Sequence, residues 1–169
     1  MRMDDLRDFL ELLEEFDEVQ RIKVQVDWNL EMGAIMRRCY DVGAPAALFE
    51  NVYPQRFGTL GAPLGASKER GHSLFARAAL ALSLRPSASA KEIMQTYLQR
   101  KENLIKPIVV GISPCKENIM KGADVDVLKF PIPLIHGGDG ERYIGNGIPS
   151  SPRIRIAHGS IGDVPADGP

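Results

Sequence analysis

Five residues, His136 through Gly140, hold an imidazole, a carboxylate and three glycines. A histidine and an aspartate three positions apart in such a turn could serve a metal ion or a general base. A metal needs three or four converging donors, and the next histidine, His158, falls in a stretch of different character. The same pair reads equally as structure, with His136 hydrogen-bonded to backbone and Asp139 capping the turn. Arg142 could grip a phosphate or carboxylate through two parallel hydrogen bonds, or stand in a surface ion pair. Further upstream, Gly61, Gly65 and Lys68 suggest a phosphate loop, but three residues separate the glycines and Lys68 is followed by Glu69. A phosphate loop needs four, and a Lys-Ser or Lys-Thr directly after the second glycine, so a turn with a solvated lysine is the expectation. Cys39 and Cys115 lack metal-type spacing and are expected as free buried thiols in a reducing cytosol.

The histidine turn has to be delivered by what precedes it. Pro131 and Pro133 fix φ and remove two backbone donors, so Phe130 to Leu134 should run extended as a stiff rail and cannot be a central strand. Arg142-Tyr143-Ile144 then reads as a turn entering a strand.

The first hundred residues alternate helix and strand patterns. Asp5 can cap a helix with Leu6, Phe9, Leu10, Leu13 and Phe16 at the 3.6-residue period. Val19 to Val26 alternates Ile22, Val24 and Val26 against Arg21, Lys23 and Gln25, the pattern of a half-buried strand. Asn29 is a candidate cap for a helix over 30–40, with Ile35, Met36, Cys39 and Tyr40 inward and Gly43 just past its end. A strand over Ala46 to Val52 and a short one over Phe57 to Leu60 should follow. A third helix is expected from Glu69 or Ser73 to Leu82, with Leu74, Ala78 and Leu82 on one face. A fourth should begin at Ser87 or Ser89 and bury Ile93, Met94, Tyr97 and Leu98. The β-branched run Ile108-Val109-Val110 reads as a buried strand ended by Gly111. The economical fold class is α/β, in layers.

Composition excludes several functions. Among 169 residues, 21 basic side chains balance 22 acidic ones, and no basic block points to nucleic acid or an anionic membrane. The longest apolar-rich segment, Leu74 to Leu84, is interrupted by Arg77 and is too short to span a bilayer. The first residues are acidic and lack an apolar core, unlike a signal peptide, so a cytoplasmic protein is expected.

The run "DVDVLKFPIPLIHGGDGERYIG", with "KENIMKG" just before it, resembles the entry to the flavin-binding domain of UbiD-type decarboxylases. Upstream, "LRDFLELLEEFDEVQRI", "EMGAIMRR" and "PAALFENV" resemble the same family's N-terminal domain in the family's order, so the resemblance covers roughly residues 4–146. It implies an N-terminal α/β domain over 1–123 and the start of a split β-barrel over 124–146. It further implies a carboxy-lyase that uses prenylated FMN with Mn2+ and K+ to remove CO2 from an aromatic, 4-hydroxybenzoate-like, or α,β-unsaturated acid. Tyr143, Gly145 and Asn146 resemble positions lining the flavin site, although the family more often has threonine where Asn146 stands. The family's catalytic and metal-binding residues match none before Asn146.

Residues 147–169 carry no helical or strand period and hold four prolines and four glycines, so they are expected as a disordered tail outside the family pattern. Their codons, read from the last base of Asn146, permit Trp-His-Ser-Val-Ile-Thr-Lys-Asp-Pro-Asp-Ser-Ala-Trp-Val-Asn-Trp-Gly. That run is family-like, which suggests a single-base deletion near codon 146. The chain is thus expected to be an inactive N-terminal part of a decarboxylase, binding no flavin. A non-catalytic assembly module, as part of a homo-oligomer or beside a full-length subunit, is the alternative. A phosphate-binding enzyme built on Gly61 to Lys68 is a third reading.

Overall fold

The computed structural model describes residues 3, 5–55, 57–112, 117 and 119–138. Helix α1 (Leu6–Glu15) starts as its sequence dictates, with the Asp5 carboxylate accepting from the backbone amides of Arg7 at 2.7 Å and Asp8 at 3.3 Å. Strands β1 (Val19–Ile22) and β3 (Ala46–Phe49) pair in parallel across the crossover helix α2 (Glu31–Val42), which makes a βαβ unit. Antiparallel β5 (Thr59–Gly61) adds to β3, giving the order β1-β3-β5. Beyond β1 and β3 the same two chains resume as β2 (Val26–Asp27) and β4 (Val52–Tyr53), again parallel.

The expected strands 19–26 and 46–52 are therefore each broken in two. Ile22 pairs with Phe49 and Val26 with Val52, so the first chain carries one more residue than the second between the two ladders. An extra residue on one strand is the geometry of a bulge, and it turns Val24 outward, where it is exposed rather than core-facing.

Helices cover both faces of the sheet. Ala47 and Phe49 of β3 pack with Val26, Met32 and Val52 on the α2 side. Ala46 packs with Phe9, Leu13 and Leu80 on the side of α1 and of α3 (Ala76–Ala81). Neighbouring β3 residues thus serve opposite faces, which is why its sequence is an apolar run rather than an alternation.

Several boundaries move for physical reasons. Helix α2 begins after Leu30, which sits at φ 66° with no side-chain cap, while Asn29 is instead bridged to Leu134. Its buried residues are Met32 and Gly33; Ile35, Met36 and Cys39 are half-buried and Tyr40 is exposed. Gly43 closes the helix in the left-handed conformation expected of it. Helix α3 spans only six residues and turns Ala76, Arg77, Ala79 and Leu80 inward, leaving Leu74 exposed. Helix α4 (Ala90–Glu102) has the capping box that Ser89 and Glu92 form, yet it buries none of its residues. Met94, Tyr97 and Leu98 are exposed there, against expectation. Ile108-Val109-Val110 form no strand and are exposed as well.

The proline rail behaves as its chemistry requires. Phe130 to Leu134 belongs to no sheet but is not extended throughout, since Ile132 N–H donates to Phe130 C=O at 2.8 Å and closes a tight turn at Pro131; the segment is fastened to the βαβ unit. Leu134 N–H donates to Trp28 C=O and Leu30 N–H to Leu134 C=O, each at 3.1 Å. Thr59 Oγ1 donates to Pro131 C=O at 3.4 Å, Gln55 Nε2 to Leu128 C=O at 3.2 Å, and Phe57 stacks on Phe130. Ile132 is buried.

Gly33 permits this crossing. A Cβ there would lie 2.7 Å from the Ile135 carbonyl oxygen and 2.8 Å from its Cα, and backbone cannot yield as a side-chain tip can. Replacement Gly33→Ala should therefore push the rail off α2. The overpacking costs about 1–3 kcal/mol, offset in part by a helix-propensity gain of about 1 kcal/mol. Trp28 is the chain's sole tryptophan and accepts from Leu134, so the expected readout is a shift of its emission toward that of solvated indole. Unchanged emission and stability would disprove the close approach.

Candidate functional site

Four polar side chains meet under the sheet where α1 hands over to β1. Glu18 is 1% exposed and Arg77 not at all. Glu18 Oε2 accepts from Arg77 Nη1 at 2.7 Å, while Oε1 accepts from Ser67 Oγ and lies 2.6 Å from His72 Nδ1. Arg77 also donates to the carbonyls of Ala44 at 3.1 Å and Ala66 at 3.0 Å, and its Nε is a buried donor without a partner among the described residues. Gly65 lets the guanidinium in, since a Cβ there would stand 2.4 Å from Nη2. This is the use of a glycine that the phosphate-loop pattern imitated. Lys68 is exposed and lies over Gly43.

A serine, a histidine and a glutamate in contact suggest a hydrolytic triad, but the wiring differs. In a triad the histidine stands between hydroxyl and carboxylate so that it can take the hydroxyl proton. Here Ser67 and His72 both turn to the same carboxylate oxygen, so the hydroxyl's proton is committed to Glu18. The cluster can hold backbone segments together and has no nucleophile poised for attack. Cys39 supplies none either: it is a free thiol, and burial pushes its pKa up, with Arg77 opposing, so it stays protonated near neutrality.

Sequence reasoning missed all four cluster residues. The available signal was Arg77 itself, a cation inside the apolar stretch "FARAALAL", which on a packed helix face demands a buried anion.

At the end of the rail His136 is exposed, and Gly137 and Gly138 follow it. Asp139, Arg142, Tyr143, Gly145, Asn146, His158 and Cys115 lie outside the described residues. Among those described, no group of three or more His, Cys, Asp or Glu side chains could hold a metal ion. A cleft of about 640 Å3 opens between α1 and the rail, lined by Leu6, Phe9, Phe57, Leu60, Leu64, Phe130 and Ile132 among others. Its lining includes no lysine or arginine, so a flavin phosphate would find no cation in this cleft. No described helix is long and apolar enough to cross a membrane.

Residues 10–97 match the family model described as the 3-octaprenyl-4-hydroxybenzoate carboxy-lyase N-terminal domain, UbiD_N. The chain belongs to the UbiD family. Ferulic acid decarboxylase 1 of Saccharomyces cerevisiae is 37% identical over 147 residues, covering 83% of this chain and 29% of the relative. Pyrrole-2-carboxylic acid decarboxylase of Pseudomonas aeruginosa is 39% identical over the same length, with the same shares covered. The chain thus spans about 29% of the length of these relatives. Among solved structures, the closed form of vanillic acid decarboxylase from Sedimentibacter hydroxybenzoicus superposes with a TM-score of 0.73 at 26% identity, over 85% of this chain and 30% of that one. The UbiD-class enzyme HmfF from Pelotomaculum thermopropionicum, in complex with FMN, gives 0.66 at 27% identity, over 82% and 28%. The layered α/β arrangement is that of the N-terminal part of UbiD-class enzymes.

The ion pair is the most exacting feature of this UbiD-family unit. Replacement Arg77→Ala strands the Glu18 carboxylate in the interior and should cost about 3–5 kcal/mol. Replacing both partners by apolar residues of similar volume, Glu18→Leu with Arg77→Met, should recover much of that loss. Urea unfolding of the two variants beside the unaltered chain checks this, and a cost of Arg77→Ala below about 1 kcal/mol would show that the pair is not effectively buried.

Proposed function

We propose that residues 1–146 are the N-terminal part of a cytoplasmic UbiD-type carboxy-lyase. Its whole polypeptide removes CO2 non-oxidatively from an aromatic, 4-hydroxybenzoate-like, or α,β-unsaturated acid, using prenylated FMN with Mn2+ and K+. The observation that carries the reading is the 37% identity, over 147 residues, to a decarboxylase of a related acid class. In this division of labour 1–123 is a positioning domain and 124–146 enters the flavin domain, where Tyr143, Gly145 and Asn146 would line the cofactor. The described residues supply orientation alone: they hold the rail at Trp28, Leu30, Gly33, Gln55 and Thr59. No proton transfer is assigned to them.

The run after Asn146 is, on this reading, family sequence translated out of frame, so the 169-residue chain is itself inactive. Purified with prenylated FMN and Mn2+, it should emerge colourless and release no CO2 from hydroxybenzoate or cinnamate. Insertion of one base in codon 146 should restore the Trp-Val-Asn run and, with the gene continuing in that frame, flavin absorbance. Flavin held by the unaltered chain, or a gene whose codons cannot encode that run, would defeat the frameshift. A restored reading frame that binds no flavin would defeat the assignment of the cofactor.

A second reading, a non-catalytic assembly module, is favoured by one specific observation. Met94, Tyr97 and Leu98 of α4 and Leu104, Ile105, Ile108, Val109 and Ile112 beyond it are exposed apolar side chains.

A further inference from the structure

The cleft between α1 and the rail has the form of a small-molecule site. Its volume of about 640 Å3 lies within the usual range for such sites, and its walls are apolar. A cavity of about 150 Å3 with similar walls of leucine, isoleucine and phenylalanine takes up benzene. Phe57 and Phe130, stacked with ring centroids 5.2 Å apart, both line the cleft and are each 52% exposed, so a further ring can join the pair. Thr59 carries the only polar side chain of the described lining. Its hydroxyl donates to Pro131 C=O and keeps acceptor lone pairs.

The walls say what fits. No charged side chain stands among the described lining residues, and the N-terminus of α1 at Leu6 is no substitute. The Asp5 carboxylate already holds the amides of Arg7 and Asp8 there. A carboxylate drawn into the cleft would lose water and gain no partner. A peptide segment would fare little better. On the rail side Pro131 has no N–H, its carbonyl accepts from Thr59, and the Ile132 N–H and Phe130 C=O are bonded to each other. Pro63 has no N–H either, and the Phe9 N–H is given to Asp5 C=O. Amides laid against these walls would go unpaired. A neutral aromatic ring brings no amide and no charge.

We propose that this cleft binds a small uncharged aromatic molecule, a phenol or an alkenyl arene, against the Phe57–Phe130 pair, and rejects the matching carboxylic acid. Removing CO2 from an aromatic acid puts hydrogen where the carboxylate stood and leaves a molecule of that class. That the occupant is the reaction's product rests on the decarboxylase reading; the site and its preference do not.

Saturation-transfer NMR of the full chain near neutral pH, with 4-vinylphenol and 4-hydroxycinnamate as a pair that differs by one carboxylate, tests this without flavin or turnover. Vinylphenol should receive saturation from the protein and bind about 10-fold or more tighter than hydroxycinnamate. Leu64 lines the cleft and is 58% exposed, so its replacement leaves the core intact. Leu64→Arg supplies the missing cation and should bring the acid's affinity up to that of the phenol or beyond. Leu64→Gln, the uncharged control, should leave the preference for the phenol in place. A chain that takes up neither molecule overturns the proposal and returns the cleft to polypeptide such as the longer relatives carry. So does an acid bound as well as the phenol, or a preference that Leu64→Arg does not move. None of these outcomes bears on the proposed reaction, which cofactor binding and CO2 release decide.

Discussion

Burying one guanidinium organises this fold. Arg77 is wholly enclosed, so it must find an anion and carbonyls within reach or the packing around it fails. Glu18 meets that demand because the chain turns sharply after α1: its amide donates to Leu13 C=O at 2.7 Å, and its own carbonyl accepts from Ala46 N–H at 2.8 Å. The end of α1, the first rung of β3, the loop through Ala66 and Ser67, and α3 are therefore tied to a single ionic centre. Apolar contacts among Phe9, Leu13, Ala46 and Leu80 supply the bulk of the burial on that face, and any similar set would pack nearly as well. The pair restricts those elements to one arrangement, a specificity that hydrophobic burial by itself does not impose.

Local chemistry was legible wherever it is settled within a few residues. Asp5 caps α1, Ser89 with Glu92 caps α4, Gly43 ends α2, and the spacing of Pro131 and Pro133 kept the rail out of the sheets, because each effect needs only neighbours in sequence. The break between β1 and β2 was not legible, since alternation records which residues could face a core and not how many residues the partner strand provides. Arg77 misled for the complementary reason: its meaning depends on Glu18, 59 positions away. For α4 the cap was legible but the expected buried stripe of Ile93, Met94, Tyr97 and Leu98 was not borne out, because helical spacing shows which residues share a face and not whether anything packs on it. Of the candidate site only His136 falls within the described residues, and the resemblance, not residue chemistry, pointed to Tyr143, Gly145 and Asn146.

The rail shows how the βαβ unit can set geometry beyond its own core. Two prolines fix φ at two of five positions, and the Phe130–Ile132 hydrogen bond closes the turn between them, so the segment has few ways to absorb a displacement at one end. Backbone bonds to Trp28 and Leu30, with the close approach at Gly33, set its position along the first turn of α2. Gln55 and Thr59, beyond β4, fix the other end. A stiff segment held at two separated places has a defined direction as well as a position, and reactive geometries tolerate errors of only fractions of an ångström. The residues holding it come from sequence some 70 to 100 positions earlier, so His136 and whatever follows leave the domain on a heading set by the βαβ unit. The unit can thus be selected for the angle at which it releases the chain, and glycine at position 33 is the cheapest way to let two backbones meet closely enough to fix that angle.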